Sequence, residues 1–145
     1  MSRVGVLSWS IRLLTAAGLG VDAVVHVVLA PTRPPAAPGQ WSQAGLFYAE
    51  AAVAVVVAVL LLATGARVVH LVAVLVAASA VVAVLVSRYV DTGPLGPIPD
   101  LYEPFWYTSK VVATVAEAVA AMTAAAGVLL GRHHAVAHRG QAATP

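Results

Sequence analysis

The chain has no cysteine, which removes disulfides, thiolate metal sites and thiol–disulfide relay chemistry together. Membrane thiol oxidoreductases, which are also small helical bundles, are excluded with them. Charge is nearly as scarce: eight Lys and Arg and six Asp and Glu make up 10% of 145 residues. The sequence pI near 9.4 invites a nucleic-acid reading, but the basic residues are scattered over the ends of apolar runs and form no stripe. No nucleic-acid partner is expected. Aromatics make up only 6% of the chain, and only Trp9 lies far from the rest. Acids are missing from one whole side of the molecule, as the apolar pattern below makes plain.

What is abundant is apolar: 61% of residues are hydrophobic and mean hydropathy is +0.91. Such a chain is one domain by length, and its core must be completed by lipid. Four runs reach or approach the length of a bilayer crossing at about 1.5 Å per residue. They cover about 13–30, 46–63, 68–87 and 105–130. Uninterrupted runs of this length must close their backbone hydrogen bonds internally, so they read as helices rather than strands. The expected fold is an all-α integral membrane bundle of four transmembrane helices. It occupies residues 1–131, followed by a basic tail, 132–145, expected to be disordered in the cytoplasm. The first run resembles a signal peptide, since Ala30 precedes Pro31. Asp22 and His26 interrupt it and Arg12 lies deep in the segment, so an uncleaved first helix is the better reading.

Orientation follows from the cations. Arg3, Arg12, Arg67, Arg132 and Arg139 fall on one side, Arg33, Arg88 and Lys110 near the other. Five against three, with His133, His134 and His138 in the tail, predicts both termini in the cytoplasm of a bacterial cell. The connection around Gly65 is then a tight cytoplasmic hairpin. The two outer connections are long and rich in proline: Pro31, Pro34, Pro35 and Pro38 in one, Pro94, Pro97, Pro99 and Pro104 in the other. They are expected to cap the outer mouth of the bundle.

All six acids, Asp22, Glu50, Asp91, Asp100, Glu103 and Glu117, lie on that outer side or in the outer half of a span. A charge in lipid is expensive, so this half is where function is sought. Asp22 and His26 are four residues apart and share a helical face, which Thr15 and Gly18 continue inward. Glu103, Lys110 and Glu117 recur every seven residues and are expected on one side of the fourth helix, with Ala113, Thr114, Ala121 and Ala124. Glu50 comes from the second helix and Arg88 from the outer end of the third. Counted from the outer ends, His26, Glu50 and Lys110 lie about 6–8 Å deep, Asp22 about 12 Å and Glu117 about 18 Å. Asp22, His26, Glu50, Arg88, Glu103, Lys110 and Glu117 are therefore the candidate ligand or ion-pair pocket. Lys110 is the natural counter-ion for Asp22, Glu50 or Glu117.

Two sharper chemistries can be weighed, and neither is preferred. A haem held by His26 and His70 would need histidines that sit at opposite ends of their helices, about 20 Å apart along the membrane normal. A metal on Asp22, His26 and Glu50 has suitable ligand types, but Asp at i and His at i+4 more often form a satisfied pair. No metal site and no cofactor is predicted, although the outer aromatics Phe47, Tyr48, Trp106 and Tyr107 leave room for a quinone. No nucleophile–base pair or phosphate loop stands out, so no enzyme is predicted.

One stretch carries a resemblance. Ser87-Arg88-Tyr89-Val90-Asp91, Gly93, Gly96-Pro97-Ile98-Pro99-Asp100-Leu101-Tyr102-Glu103-Pro104 and Trp106-Tyr107 to Lys110 resemble a family of small uncharacterised integral membrane proteins common in actinobacteria. Val21-Asp22, His26, Leu29-Ala30-Pro31, Phe47 and Glu50 fit the same family. The layout is similar, much more loosely, to DoxX-like four-helix proteins, some of them associated with quinone-linked oxidation. The resemblance implies an architecture and a choice of residues, not a reaction. The expected function is binding of a small molecule, lipid or quinone in the outward pocket. The competing classes are a proton-coupled small transporter and a structural or accessory membrane subunit. Small multidrug exporters also place one acid in a first span, but the aromatic pattern of their third helix is absent from 68–87. The lipid bilayer is the expected partner, and alanine-rich faces on the fourth helix allow a homodimer.

Overall fold

The computed structural model describes the backbone of residues 3–141 and the side chains of residues 4–131. Four helices account for most of it: α1 (Arg3–Leu29), α2 (Gln43–Thr64), α3 (Arg67–Tyr89) and α4 (Thr108–Gln141). All four are long and apolar enough to cross a membrane, and no strand occurs among the described residues. The all-α membrane bundle expected from the apolar runs is the fold observed. α4 is drawn through to Gln141, into the stretch expected to be a disordered tail. The tail's side chains and the residues from 142 on lie outside the described ones.

Two helix ends differ from expectation, each for a local reason. α1 begins about ten residues before its apolar run, because Ser8, Trp9, Ser10 and Arg12 are compatible with helix although they are not lipid-like. Hydropathy marks the greasy part of a helix, not its hydrogen-bonded length. α4 begins at Thr108 rather than near Phe105. Pro104 disfavours helix at the residue before it, and the Val111 N–H donates to the Tyr107 carbonyl at 3.0 Å, so Tyr107 is the last residue outside the helix.

The other boundaries follow from recognisable chemistry. Pro31 cannot continue α1, which closes in a single 3-10 turn, Ala30–Thr32. The Ser42 hydroxyl accepts the Gly45 N–H at 3.2 Å and caps α2. Gly65 ends α2 in the left-handed region, φ 56°, and donates to the Leu61 carbonyl at 2.9 Å. Only Gly65 and Ala66 separate α2 from α3.

The bundle is inside-out relative to a soluble one. Its interior is built of small residues: Ala23, Ala51, Ala54, Ala58, Ala73, Ala77, Ala120 and Ala124, with Leu19 and Val57 among them. Large side chains face outward, Leu75 at 69% exposure and Val24 at 63%. Exposed valine and leucine on this scale would drive aggregation in water, whereas lipid solvates them. Alanine in the interior lets helix backbones approach. At Gly18 a Cβ would meet the Ala116 carbonyl oxygen at 2.7 Å, so α1 and α4 are in backbone contact there. One turn away the Thr15 and Thr123 hydroxyls meet at 2.8 Å. Thr123 donates to the Val119 carbonyl, which makes Thr15 the donor across the interface. α1 packs on α4 and α2, and α3 on α4; the α2–α3 seam is the loosest between neighbours. Ala113 and Ala124, expected on the sector of α4 that carries Lys110 and Glu117, are covered inside the chain, as is Ala120.

The two proline-rich connections fold over the loop end of the bundle and touch. The Trp41 N–H donates to the Pro97 carbonyl at 2.7 Å, joining one connection to the other. Leu95 and Ile98 pair across Gly96-Pro97, where Gly96 has φ 59°. The Glu103 N–H donates to the Ser87 carbonyl at 2.7 Å, turning the second connection back onto the end of α3.

Candidate functional site

Beneath these connections lies a cavity of about 280 Å³. All four helices line it. α1 supplies His26 and Leu29, α2 Leu46, Phe47 and Glu50, α3 Ala80, Ala83, Val84 and Ser87, and α4 Lys110, Ala113 and Glu117. Leu101, Glu103 and Tyr107 close it from the loop. Five of the seven residues singled out from the sequence thus line one space. Asp22 lies behind it, in contact with His26. Arg88 does not line it: its guanidinium stacks over Tyr89, 4.9 Å from the ring centroid, and its buried Nε has no partner among the described residues.

The floor is formed by Asp22, His26 and Glu117, which each bring a potential ligand atom within 4.8 Å of the others. The i, i+4 spacing on α1 puts His26 Nδ1 2.8 Å from Asp22 Oδ1 and 3.1 Å from the Asp22 carbonyl oxygen. The His26 ring also meets Phe47 edge-on at 4.9 Å. Asp22 and Glu117 are each 1% exposed, and neither Glu117 oxygen has a hydrogen-bond partner among the described residues. Glu50 Oε1, from α2, is likewise buried without one.

Glu117 was expected about 6 Å deeper than Asp22. The later start of α4 removes that difference: counted from Thr108 and from Ala30, the two acids lie about 13 and 12 Å in. The acid that stands with Asp22 and His26 is Glu117, not the Glu50 weighed with them from sequence and set aside.

The mouth is organised around Glu103, which is not on α4 as its heptad spacing from Lys110 suggested. It sits in the connection before the helix, and the turn back to Ser87 returns its carboxylate to the bundle. Arg33 donates to Glu103 Oε1 at 3.2 Å and the Tyr107 hydroxyl to Oε2 at 2.9 Å. Lys110 Nζ donates to the Glu103 carbonyl at 2.8 Å and lies 3.6 Å from Oε2. Lys110 is therefore the partner of Glu103, not of Asp22, Glu50 or Glu117. Burial first, then the Glu103 hydrogen bond and charge, push the Tyr107 phenol above its ordinary value, against the opposing pull of Arg33.

Arg33 and Tyr107 complete the mouth, yet sequence had offered them only as a cation in a charge count and an interfacial aromatic. Arg33 and Glu103 are seventy residues apart, and no local spacing signals their meeting. At the opposite end His70, the other histidine weighed for haem, has its Nδ1 3.2 Å from the Ala66 carbonyl oxygen and lines a separate cavity of about 220 Å³ with Arg12, Gly65 and Gly127. The two histidines belong to different ends of the bundle, as their positions in sequence require.

Chemically, the loop-end cavity offers apolar walls, a mouth in which two cations share the Glu103 carboxylate, and a floor with carboxyl groups to spare. Comparisons with protein-family models, curated proteins and solved structures returned no match to this chain.

Proposed function

We propose that this membrane protein is a binding protein rather than an enzyme. The cavity under the proline-rich connections receives a small amphipathic molecule of the lipid or quinone class. The cavity itself carries this reading: about 280 Å³ of space with Leu29, Leu46, Phe47 and Val84 along its sides and ionisable groups at both ends. That volume is at the lower limit of small-molecule sites, so it suits a ring or headgroup rather than a whole lipid. An attached chain would leave through the α2–α3 seam, where the helices pack least closely. The positive-inside bias supports a cytoplasmic hairpin and termini, with the cavity facing outward across a bacterial cytoplasmic membrane. The resemblance to small actinobacterial membrane proteins accords with this placement.

The test is native mass spectrometry of the full-length protein released gently from its own membranes. A discrete added mass is expected, and it should disappear on Leu46→Trp, which fills the cavity without touching a charge. A bare chain mass from wild-type protein under the gentlest release refutes the reading. The second reading is a proton-coupled small transporter, favoured by Glu50 and Glu117, buried acids without fixed partners. The same spectra report whether the chain is a homodimer.

A further inference from the structure

The floor of the cavity carries more acid than the protein around it neutralises. Glu117 is 1% exposed, and both of its oxygens lack a hydrogen-bond partner among the described residues. Arg33 and Lys110, the cations at the cavity, are both engaged by Glu103 at the mouth. A carboxylate left alone at this depth is costly, whatever the residue does. Its surroundings are not merely acidic, since His26 stands beside it. Asp22, His26 and Glu117 each present one donor atom, all within 4.8 Å. We propose that these three residues bind a single divalent transition-metal ion.

Three observations on the site carry this. The charge closes: two carboxylates and a neutral imidazole balance a dication. The donor types fit zinc, manganese or iron, because an imidazole favours transition metals while calcium would demand six to eight oxygens. The distances fit as well. With metal–ligand bonds of about 2.0–2.2 Å, ligand atoms stand about 3 Å apart at right angles and about 4.2 Å apart across the metal. The Asp22–His26 separation of 2.8 Å matches the first arrangement. The other separations are within 4.8 Å, so side-chain movements totalling at most about 0.6 Å bring the widest into the second.

The scaffold is suited to hold such geometry. Asp22 and His26 are fixed to each other by their i, i+4 spacing on α1. Glu117 comes from α4, and α1 is bound to α4 by the Gly18 contact and the Thr15–Thr123 hydrogen bond. Three protein ligands leave at least one coordination position open, and His26 and Glu117 both border the cavity above. The site stands apart from the proposed organic ligand and does not depend on it.

The experiment is a titration of Co2+ into chelator-treated full-length protein in lipid nanodiscs, followed by visible absorption and by bound metal per chain. His133→Ala, His134→Ala and His138→Ala are introduced first, so that tail imidazoles do not contribute. The expected result is one cobalt per chain with d–d bands, displacement by Zn2+, and at least tenfold weaker binding in Glu117→Gln and in Asp22→Asn. The proposal is overturned if the parent takes up no cobalt. It is equally overturned if both variants, helical and monodisperse, bind cobalt as the parent does. Should one variant fail to accumulate, His26→Gln gives the same reading. No organic ligand is present in this titration, so its failure leaves the cavity reading standing, and a bare mass by native spectrometry leaves the metal site standing.

Discussion

Gly18 and Gly20 lie two residues apart on α1, and the same substitution should have opposite effects at the two positions. At Gly18 an added methyl group meets the Ala116 carbonyl oxygen at 2.7 Å and the Ala120 Cβ at 3.0 Å. A backbone oxygen inside a helix cannot step aside, so α1 and α4 must separate by roughly half an ångström. Gaps of that size forfeit about a quarter of the attraction of each atom pair involved. They also stretch the Thr15–Thr123 hydrogen bond from 2.8 Å toward the edge of usefulness, a loss of about 0.5–1.5 kcal/mol. Overpacking of this kind costs about 1–3 kcal/mol. Replacing Gly by Ala within a helix returns at most about 1 kcal/mol. Gly18→Ala should therefore destabilise by about 1–2 kcal/mol net. At Gly20 nothing lies within 4 Å of the added carbon, so Gly20→Ala should be neutral or stabilising by up to about 1 kcal/mol. Reversible unfolding in mixed micelles, with helical circular dichroism as the readout, measures both. If Gly18→Ala is as stable as Gly20→Ala, the backbone contact between α1 and α4 is not what holds the floor of the site.

The loops and the mouth give two further expectations. Glu103→Gln keeps the shape of the residue but removes the charge that gathers Arg33, Tyr107 and Lys110. It should lower stability by only about 1 kcal/mol, because the side chain is one-third exposed, yet amide exchange should quicken at Trp41, Leu95 and Glu103. Unchanged exchange in 90–107 would refute a mouth organised by that carboxylate. For Tyr107, a folded-state pKa above the unfolded value means the folded protein holds the phenolic proton more tightly. That contribution is complete below pH about 10 and is lost as pH rises through the raised value. Tyr107→Phe should flatten this part of the stability–pH curve and remove from the ultraviolet spectrum a tyrosinate that forms above the ordinary phenol range. A wild-type curve already flat over that range refutes the assignment.

Hydropathy and helix periodicity made the architecture legible, because the bilayer demands long apolar helices and punishes anything else. The same physics made Asp22, His26, Glu50 and Glu117 stand out, since four ionisable groups in an apolar chain cannot be accidental to its folding. What escaped was pairing. Asp22, Glu50 and Glu117 are all open to Lys110 by depth, and only the return of the second connection onto Ser87 brings Glu103 to it. The depth of Glu117 escaped too, because a three-residue error in the start of α4 is about 4.5 Å along its axis. Proline-rich connections are where sequence says least, and here they supply Arg33, Leu101, Glu103 and Tyr107 to the site.

The position of the cavity follows from how side chains on facing helices fill the bundle along its length. Toward the hairpin end alanine packs with Ile11, Leu19, Val57 and Leu61, and polar side chains pack directly on glycine. The Arg12 guanidinium lies against Gly65 and the His70 ring against Gly127, so tightly that a methyl group on either glycine would overlap it. One or two turns toward the loops, α1 turns His26 and Leu29 inward, α2 Leu46, Phe47 and Glu50, and α4 Lys110. α3 answers with Ala80, Ala83 and Ser87. Three helices bearing large side chains cannot close on each other as alanine faces do, and the small residues of α3 do not fill what is left. The space lies on the loop side of the Gly18 contact, and the acids of α1 and α4 sit at its lower limit, next to that contact. A floor joined by the Gly18 contact and the Thr15–Thr123 hydrogen bond, beneath walls that remain apart, sets Glu117 at the boundary between packed helices and open space.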